Sequence, residues 1–328
     1  MQTRVLGATK LAVSAIGLGT WQLSGDAHGP PPPGSQADID LALEADRTIA
    51  RARALGVTLF EVSDAYGVRE GVGRAPHETV ERRLGRLLEG DGDVVIVARG
   101  GNDLSANPAR KRFDRDHLRM SAARTAERLR RRPDVYLLDH PQLETVQHGE
   151  ATGALEELVK EGVIAHWGVA CGDGDVAQAA LDAKASVLEV AYNALRSREL
   201  HSLSADIRAN DTGVLARSTL AYGLLCGTWS PERAFPEGDH RRDRWTRAEL
   251  TERLRQVAAF RPLVKDDIHT LRAFALRYVL ANGIVSAAVV GARTQVQLEQ
   301  DVRAIGEGPP YLPMEALSEM PNFEAFIG

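Results

Sequence analysis

The stretch Thr58-Leu59-Phe60-Glu61-Val62-Ser63-Asp64-Ala65-Tyr66-Gly67 begins as an apolar run and ends in ionisable side chains. Glu61 and Tyr66 put a carboxyl and a phenol close together, and both can give or take a proton. Two further apolar runs stop the same way. Val94 to Ala98 ends at Arg99-Gly100-Gly101, and Val135 to Leu138 ends at Asp139-His140-Pro141. Where parallel strands alternate with helices, reactive groups gather at the strands' carboxyl ends. Glu61 and Tyr66 then read as active-site residues, and Phe60 and Val62 as core. The other reading of this stretch is a buried strand followed by a surface turn.

The elements that must position these residues follow from periodicity. Arg4 to Gly7 and Leu11 to Val13 read as a hairpin around Ala8-Thr9-Lys10. Ser14 to Thr20 is the first strand, followed by an extended loop holding Gly29-Pro30-Pro31-Pro32-Pro33-Gly34, where serial prolines exclude helix and central strand. Helical spacing is expected over Asp38–Leu55 and His77–Leu88, and over a basic segment, Asp116–Arg131, whose arginines read as a solvated face near a helix C-terminus. Strands Ile164–Ala170, Val187–Tyr192, Val214–Arg217 and Ala287–Val290 alternate with helices Gly153–Lys160, Asp175–Ala183, Glu199–Ala209, Asp267–Leu280 and Gln295–Ile305. A long polar and aromatic insertion, Ala221–Leu263, follows the seventh strand. The alternation makes about eight strand–helix units, which selects a closed (β/α)8 TIM barrel over an open doubly wound sheet. We read residues 1–328 as one barrel domain with an N-terminal β-hairpin and a long loop insertion after strand 7. No G-x-G-x-x-G follows an early strand, which argues against a Rossmann domain.

A net charge of −5 and a pI near 6.0 argue against nucleic-acid or membrane binding. Cys171 and Cys226 are too few for a disulfide framework or a zinc cluster, which fits a reducing, cytoplasmic setting. No metal site is expected. The lysines are only Lys10, Lys111, Lys160, Lys184 and Lys265, and none falls at a strand's carboxyl end.

Over nearly its whole length the chain resembles the aldo-keto reductase superfamily. Leu59 to Gly67 is similar to the family's F-D-T-A-D-V-Y-G strand, and Gly162 to Val169 to its G-K-I-R-x-x-G-V-S strand. Arg217-Ser218-Thr219-Leu220-Ala221-Tyr222-Gly223 resembles S-P-L-A-x-G. Gly291-Ala292-Arg293-Thr294 with Gln297 and Asp301 resembles P-G-A-R-x-x-x-Q-L-x-x-N. The resemblance implies an NADP(H)-binding barrel in which an Asp, Tyr, Lys and His reduce a carbonyl. Tyr66 matches the Tyr, but Glu61 stands at the Asp position and Arg99 at the Lys position. Asp139 falls in the His slot unless the strand shifts by one residue and restores His140. The nicotinamide-binding Ser-Asn pair becomes Ala170-Cys171, and the Gln becomes Glu189. The resemblance places Ser218, Leu220 and Gly223 along the pyrophosphate, Arg293 facing a 2′-phosphate and Gln297 near adenine, and it counts Gly291, Thr294, Asp301 and Glu189 among the cofactor-binding residues.

The expected consequence is a Glu61–Arg99 ion pair in place of the lysine, with Arg99 still able to stabilise the Tyr66 phenolate. The reading that follows is an NADP(H)-dependent oxidoreductase acting on a small carbonyl or alcohol metabolite, with an atypical site. Arg99 and Arg217 would suit an anionic substrate group. The alternatives are a redox-neutral lyase, dehydratase or isomerase on the same barrel, with the cofactor lost or non-redox, and a catalytically silent homologue. Within the insertion, Phe235, Asp239, His240, Arg241 and Trp245 are expected to shape the pocket.

Overall fold

The fold is seen in a computed structural model, which describes residues 1–32, 34–68, 79–106, 108–318 and 320. Its centre is a closed parallel barrel of eight strands. They are β1 (Ile16–Gly19), β2 (Leu59–Ser63), β3 (Val95–Gly100), β4 (Val135–Asp139), β5 (His166–Ala170), β6 (Val187–Ala191), β7 (Gly213–Arg217) and β8 (Ala287–Val290). Each strand pairs with the next in sequence, and β8 closes on β1 through Ala288↔Ile16. The helices between them are α1 (Gln36–Ala54), α2 (Val80–Leu87), α3 (Arg115–Leu129), α4 (Glu150–Lys160), α5 (Gly174–Asp182), a broken α6 (Arg198–Ser202 and Ser204–Asn210), α7 (Leu271–Ala281) and α8 (Gln295–Ala304). This is the (β/α)8 barrel expected from the sequence. The expected hairpin is present too, with Thr3–Val5 antiparallel to Ala12–Ser14.

Helix starts are set by caps that apolar periodicity does not see. Ser35 accepts from the Asp38 N–H and starts α1 earlier than expected. Thr79 accepts from the Arg82 N–H and starts α2; His77, expected at this helix's start, lies outside the described residues. Thr270 caps α7, so Asp267 precedes that helix and pairs instead with Arg277 at 2.5 Å. The insertion after β7 is not wholly loop. Thr246 and Glu249 form a capping box that opens a helix over Arg247–Ala258.

Strand side chains alternate between two shells. Outward residues such as Phe60, Val62, Ile96, Ala98 and Leu138 pack under the helices. Inward residues Leu59, Val95, Val97, Val135, Leu137, Val187, Leu215 and Val289 fill the barrel's axis, together with Leu6 and Val13 from the hairpin segment.

Candidate active site

The inward series continues upward and changes character. Leu59 is followed two positions on by Glu61, Val97 by Arg99, Leu137 by Asp139, Val187 by Glu189, and Leu215 by Arg217. A period of two keeps each pair on one face, so five charged side chains cap an apolar axis at the strands' carboxyl ends. Gly19 on β1 leaves them room, since a Cβ there would lie 3.2 Å from Glu61 Oε2.

Arg99 is the hub. Its Nε lies 3.0 Å from Glu61 Oε1 and 3.4 Å from Asp139 Oδ1, and its Nη1 donates to Glu189 Oε2 at 3.2 Å. Its Nη2 donates to the Tyr66 hydroxyl oxygen, and that hydroxyl donates to Glu61 Oε1 at 3.4 Å. The Nε contacts are ionic and not aligned hydrogen bonds. Glu61, Tyr66, Arg99, Asp139 and Glu189 are each between 1% and 9% exposed. Glu61 and Arg99 are therefore in contact, as expected, but Arg99 is shared among three carboxyl groups and a phenol. Glu189, which the resemblance put against a nicotinamide amide, is engaged by Arg99.

Burial sets the charges. It lifts the Glu61 carboxyl to about 8, against the pull of Arg99 and with help from Glu189 and Asp139. Burial also lifts the Tyr66 phenol well above its ordinary value, again opposed by Arg99. For Asp139, burial acts upward but is overcome by Arg99, the His140 hydrogen bond and Lys111, so its carboxyl sits well below the usual range. Burial disfavours the Arg99 cation, yet Glu61, Tyr66, Asp139 and Glu189 hold it protonated more firmly than usual.

The choice between Asp139 and His140 dissolves in the structure. Asp139 ends β4 facing inward. His140 follows at φ +52°, so strand alternation no longer governs it, and its ring turns back to line the cleft. His140 Nδ1 lies 2.8 Å from Asp139 Oδ1. No barrel strand ends on a lysine, yet one lysine reaches this site from outside the barrel. Lys111 lies beyond the end of β3, on a small hairpin pairing Asn102–Asp103 with Arg110–Lys111. Its Nζ donates to Asp139 Oδ2 at 2.6 Å and to Asn102 Oδ1 at 2.8 Å.

The cleft above this layer has a volume of about 660 Å³ and reaches the start of α8. Ser218, Leu220 and Gly223 line it from the turn after β7, where Ser218, Tyr222 and Gly223 all have positive φ. Gly291 and Arg293 line it from the turn between β8 and α8, and Gln297 and Asp301 from α8. Thr294 caps α8, accepting from the Gln297 N–H at 3.3 Å, while the Gln297 side-chain oxygen accepts from the Arg293 N–H at 2.9 Å. Asp301 pairs with Arg272 at 2.7 Å, and burial lifts its carboxyl to about 6. Seven arginines and three carboxylates line the cleft among the described residues.

Sequence reasoning missed how the insertion is fastened. Asp239 accepts from Arg241 Nε and Nη2 at 2.8 and 2.6 Å, and its Oδ2 lies 3.0 Å from His28 Nδ1. His28 Nε2 is 2.6 Å from Gln22 Oε1. The segment after β1 thus clasps the insertion after β7, and the two backbones run side by side through an antiparallel bridge at His28 and Asp239, with Gly29 against Gly238. A Cβ on Gly238 would lie 2.8 Å from Gly29 Cα. The His240 ring packs 4.7 Å from Trp21, and the Arg244 guanidinium lies 3.7 Å from the Tyr222 ring centre.

The fold is thus a closed parallel (β/α)8 barrel that carries a tyrosine and ionisable groups at its strand ends, beneath a long cleft. The aldo/keto reductase family model matches residues 15–309, and the chain belongs to that family. Among curated proteins it is 24% identical to L-glyceraldehyde 3-phosphate reductase of Escherichia coli K12, over 93% of this chain and 88% of that protein. It is 24% identical to the NADH-specific methylglyoxal reductase of the same organism, over 92% of each chain. It is 26% identical to L-galactose dehydrogenase of Arabidopsis thaliana, over 94% of this chain and 89% of that protein. Among solved structures, the glycerol dehydrogenase AKR11B4 from Gluconobacter oxydans superposes with a TM-score of 0.79 at 21% identity, covering 97% of this chain and 93% of that one. The holo form of aldo-keto reductase AKR11C1 from Bacillus halodurans gives 0.75 at 21% identity, covering 98% and 95%.

Proposed function

We propose that this chain is an NADP(H)-dependent oxidoreductase that reduces a small, anionic carbonyl metabolite, with Tyr66 as the proton donor. The observation that carries the reading is the Tyr66 hydroxyl, held by the Arg99 guanidinium and by Glu61 at the floor of the cleft. The residues present fit a nicotinamide dinucleotide. Arg217 Nε is buried without a hydrogen-bond partner among the described residues, beside the cleft, and Glu189 offers a carboxylate, so a carboxamide finds a donor and an acceptor there. At the far end Arg293 and the start of α8 suit a phosphate. The bound cofactor would supply hydride.

The chain's own groups supply the rest. Tyr66 gives its proton to the carbonyl oxygen as negative charge develops there. Arg99 stabilises the phenolate left behind. Glu61, protonated below about 8, returns a proton to Tyr66. A phenol lifted by burial keeps its proton at neutral pH, which suits it as the acid that protonates a carbonyl oxygen. Arg244, stacked on Tyr222 and without an ion pair to any described carboxylate, suits an anionic group on the ligand. Cys171 and Cys226 are unpaired thiols, which suits a reducing cytoplasmic setting.

A specific observation also favours a redox-neutral proton transfer. Glu61 and Asp139 share Arg99, yet their carboxyls are pushed in opposite directions, one up and one down. Such divergence suits an acid and a base acting in turn. Fluorescence titration with NADPH, followed by turnover of methylglyoxal and of glyceraldehyde 3-phosphate, separates the readings. Binding with hydride transfer supports the reductase. Binding without turnover supports a cofactor with another role, and absence of binding supports the redox-neutral reading.

A further inference from the structure

We propose that Lys111 is a positioning residue of this site: from the hairpin after β3 it fixes the Asp139 carboxylate in one orientation, and through Asp139 it keeps the Arg99 guanidinium on Tyr66. The proposal rests on the reading that Tyr66 handles the proton.

The geometry divides the two oxygens of Asp139 between two tasks. Oδ2 accepts from Lys111 Nζ at 2.6 Å and from Asn102 Nδ2 at 3.0 Å. Oδ1 faces Arg99 Nε at 3.4 Å and His140 Nδ1 at 2.8 Å. With Oδ2 held from outside, the carboxylate cannot present both oxygens to Arg99. A guanidinium prefers a forked, two-oxygen partner. Left free, Asp139 would take up that fork and draw Arg99 away from the Tyr66 hydroxyl.

Charge points the same way. Within the buried layer one guanidinium serves Glu61, Asp139 and Glu189. Lys111 is a second cation on Asp139, and it leaves more of Arg99 to Glu61, Glu189 and the phenol. The Lys111 side chain is 40% exposed, so its own charge stays hydrated while the carboxylate it holds is buried. The hairpin is built to aim it. Lys111 stands opposite Asn102 in the register, Asp103 lies 3.3 Å from Arg110, and the Arg112 N–H donates to Gly101 O at 2.8 Å. Asn102 is gripped from behind by Asp64, which also accepts from Ser121 at 2.9 Å. The groups facing Asp139 are therefore Arg99 from β3, Glu61 and Tyr66 from β2 and its turn, Asp64 across Asn102, Lys111, and its neighbour His140.

The test compares Lys111→Met, Lys111→Arg and Lys111→Met in an Asp139→Asn background, using the full chain. Reduction of glyceraldehyde 3-phosphate is followed across pH, with NADPH affinity measured alongside. Lys111→Met is expected to lower kcat roughly tenfold and to move the acid limb of the profile up by about one pH unit, while NADPH affinity holds. Lys111→Arg restores both. In the Asp139→Asn background the Lys111 change adds less than about twofold. An equal loss in both backgrounds, or no rescue by arginine, overturns the proposal. A readout that needs no turnover is the Asp139 carboxyl resonance in protein labelled with 13C at aspartate Cγ, assigned through Asp139→Asn. An upward move of its titration in Lys111→Met supports the proposal even where hydride transfer is absent and the reductase reading has failed. An unchanged titration overturns it.

Discussion

Oε1 of Glu61 lies 3.0 Å from Nε of Arg99, yet burial among further carboxylates lifts the Glu61 carboxyl to about 8. A carboxyl raised on folding binds its proton more tightly in the native state. Its stabilising contribution is full below the unfolded value, near 4.5, and is lost as pH rises through about 8. Thermal melts from pH 5 to 9 should show this decline, and Glu61→Gln should flatten it. A Glu61→Gln protein with the same slope would show that Glu61 is already ionised at neutral pH.

Tyr66→Phe removes one oxygen from the floor of the cleft and leaves the ring packing in place. Turnover should fall by roughly 10²–10⁴-fold, the usual share of a general acid. Melting temperature should stay within a few degrees of the parent, about 1 kcal/mol or less. Unchanged turnover would take Tyr66 out of the chemistry.

Arg99→Met leaves Glu61, Asp139 and Glu189 facing one another without their shared cation. Breaking a buried charge cluster in this way should cost about 3–5 kcal/mol of stability, read from urea unfolding. The paired change Arg99→Lys with Glu61→Asp keeps the charges and shortens both side chains. It should raise carbonyl reduction. If it does not, Asp139 or the nicotinamide end of the cleft is the block.

Arg293→Ala tests the opposite end of the cleft. A charge-assisted hydrogen bond contributes about 1.5–3 kcal/mol, so NADPH affinity should drop roughly tenfold to a hundredfold while NADH affinity barely changes. Equal losses for the two nucleotides would place Arg293 away from the 2′-phosphate.

The barrel was legible because its strands are short apolar runs at regular spacing, such as Val95–Ala98, with helical periodicity between them. Glu61, Arg99 and Asp139 drew attention as ionisable residues closing apolar runs, whereas Glu189 came only from the family resemblance; in the structure a period of two keeps all four on the inward face. His140 was not resolved, because its positive φ breaks that period just after β4. Lys111 escaped because a hairpin, and not a strand end, carries it into place. His28 and Asp239 are separated by most of the barrel in sequence, and no local pattern foretells a contact of that span.

The His28–Asp239 link joins segments that leave the barrel at different strands, one after β1 and one after β7. On the reading that the cleft takes a nucleotide, one lodged beneath this link would be held by both segments. Its departure would then require the two segments to part, and loosening the link with Asp239→Asn should quicken that release while weakening the grip.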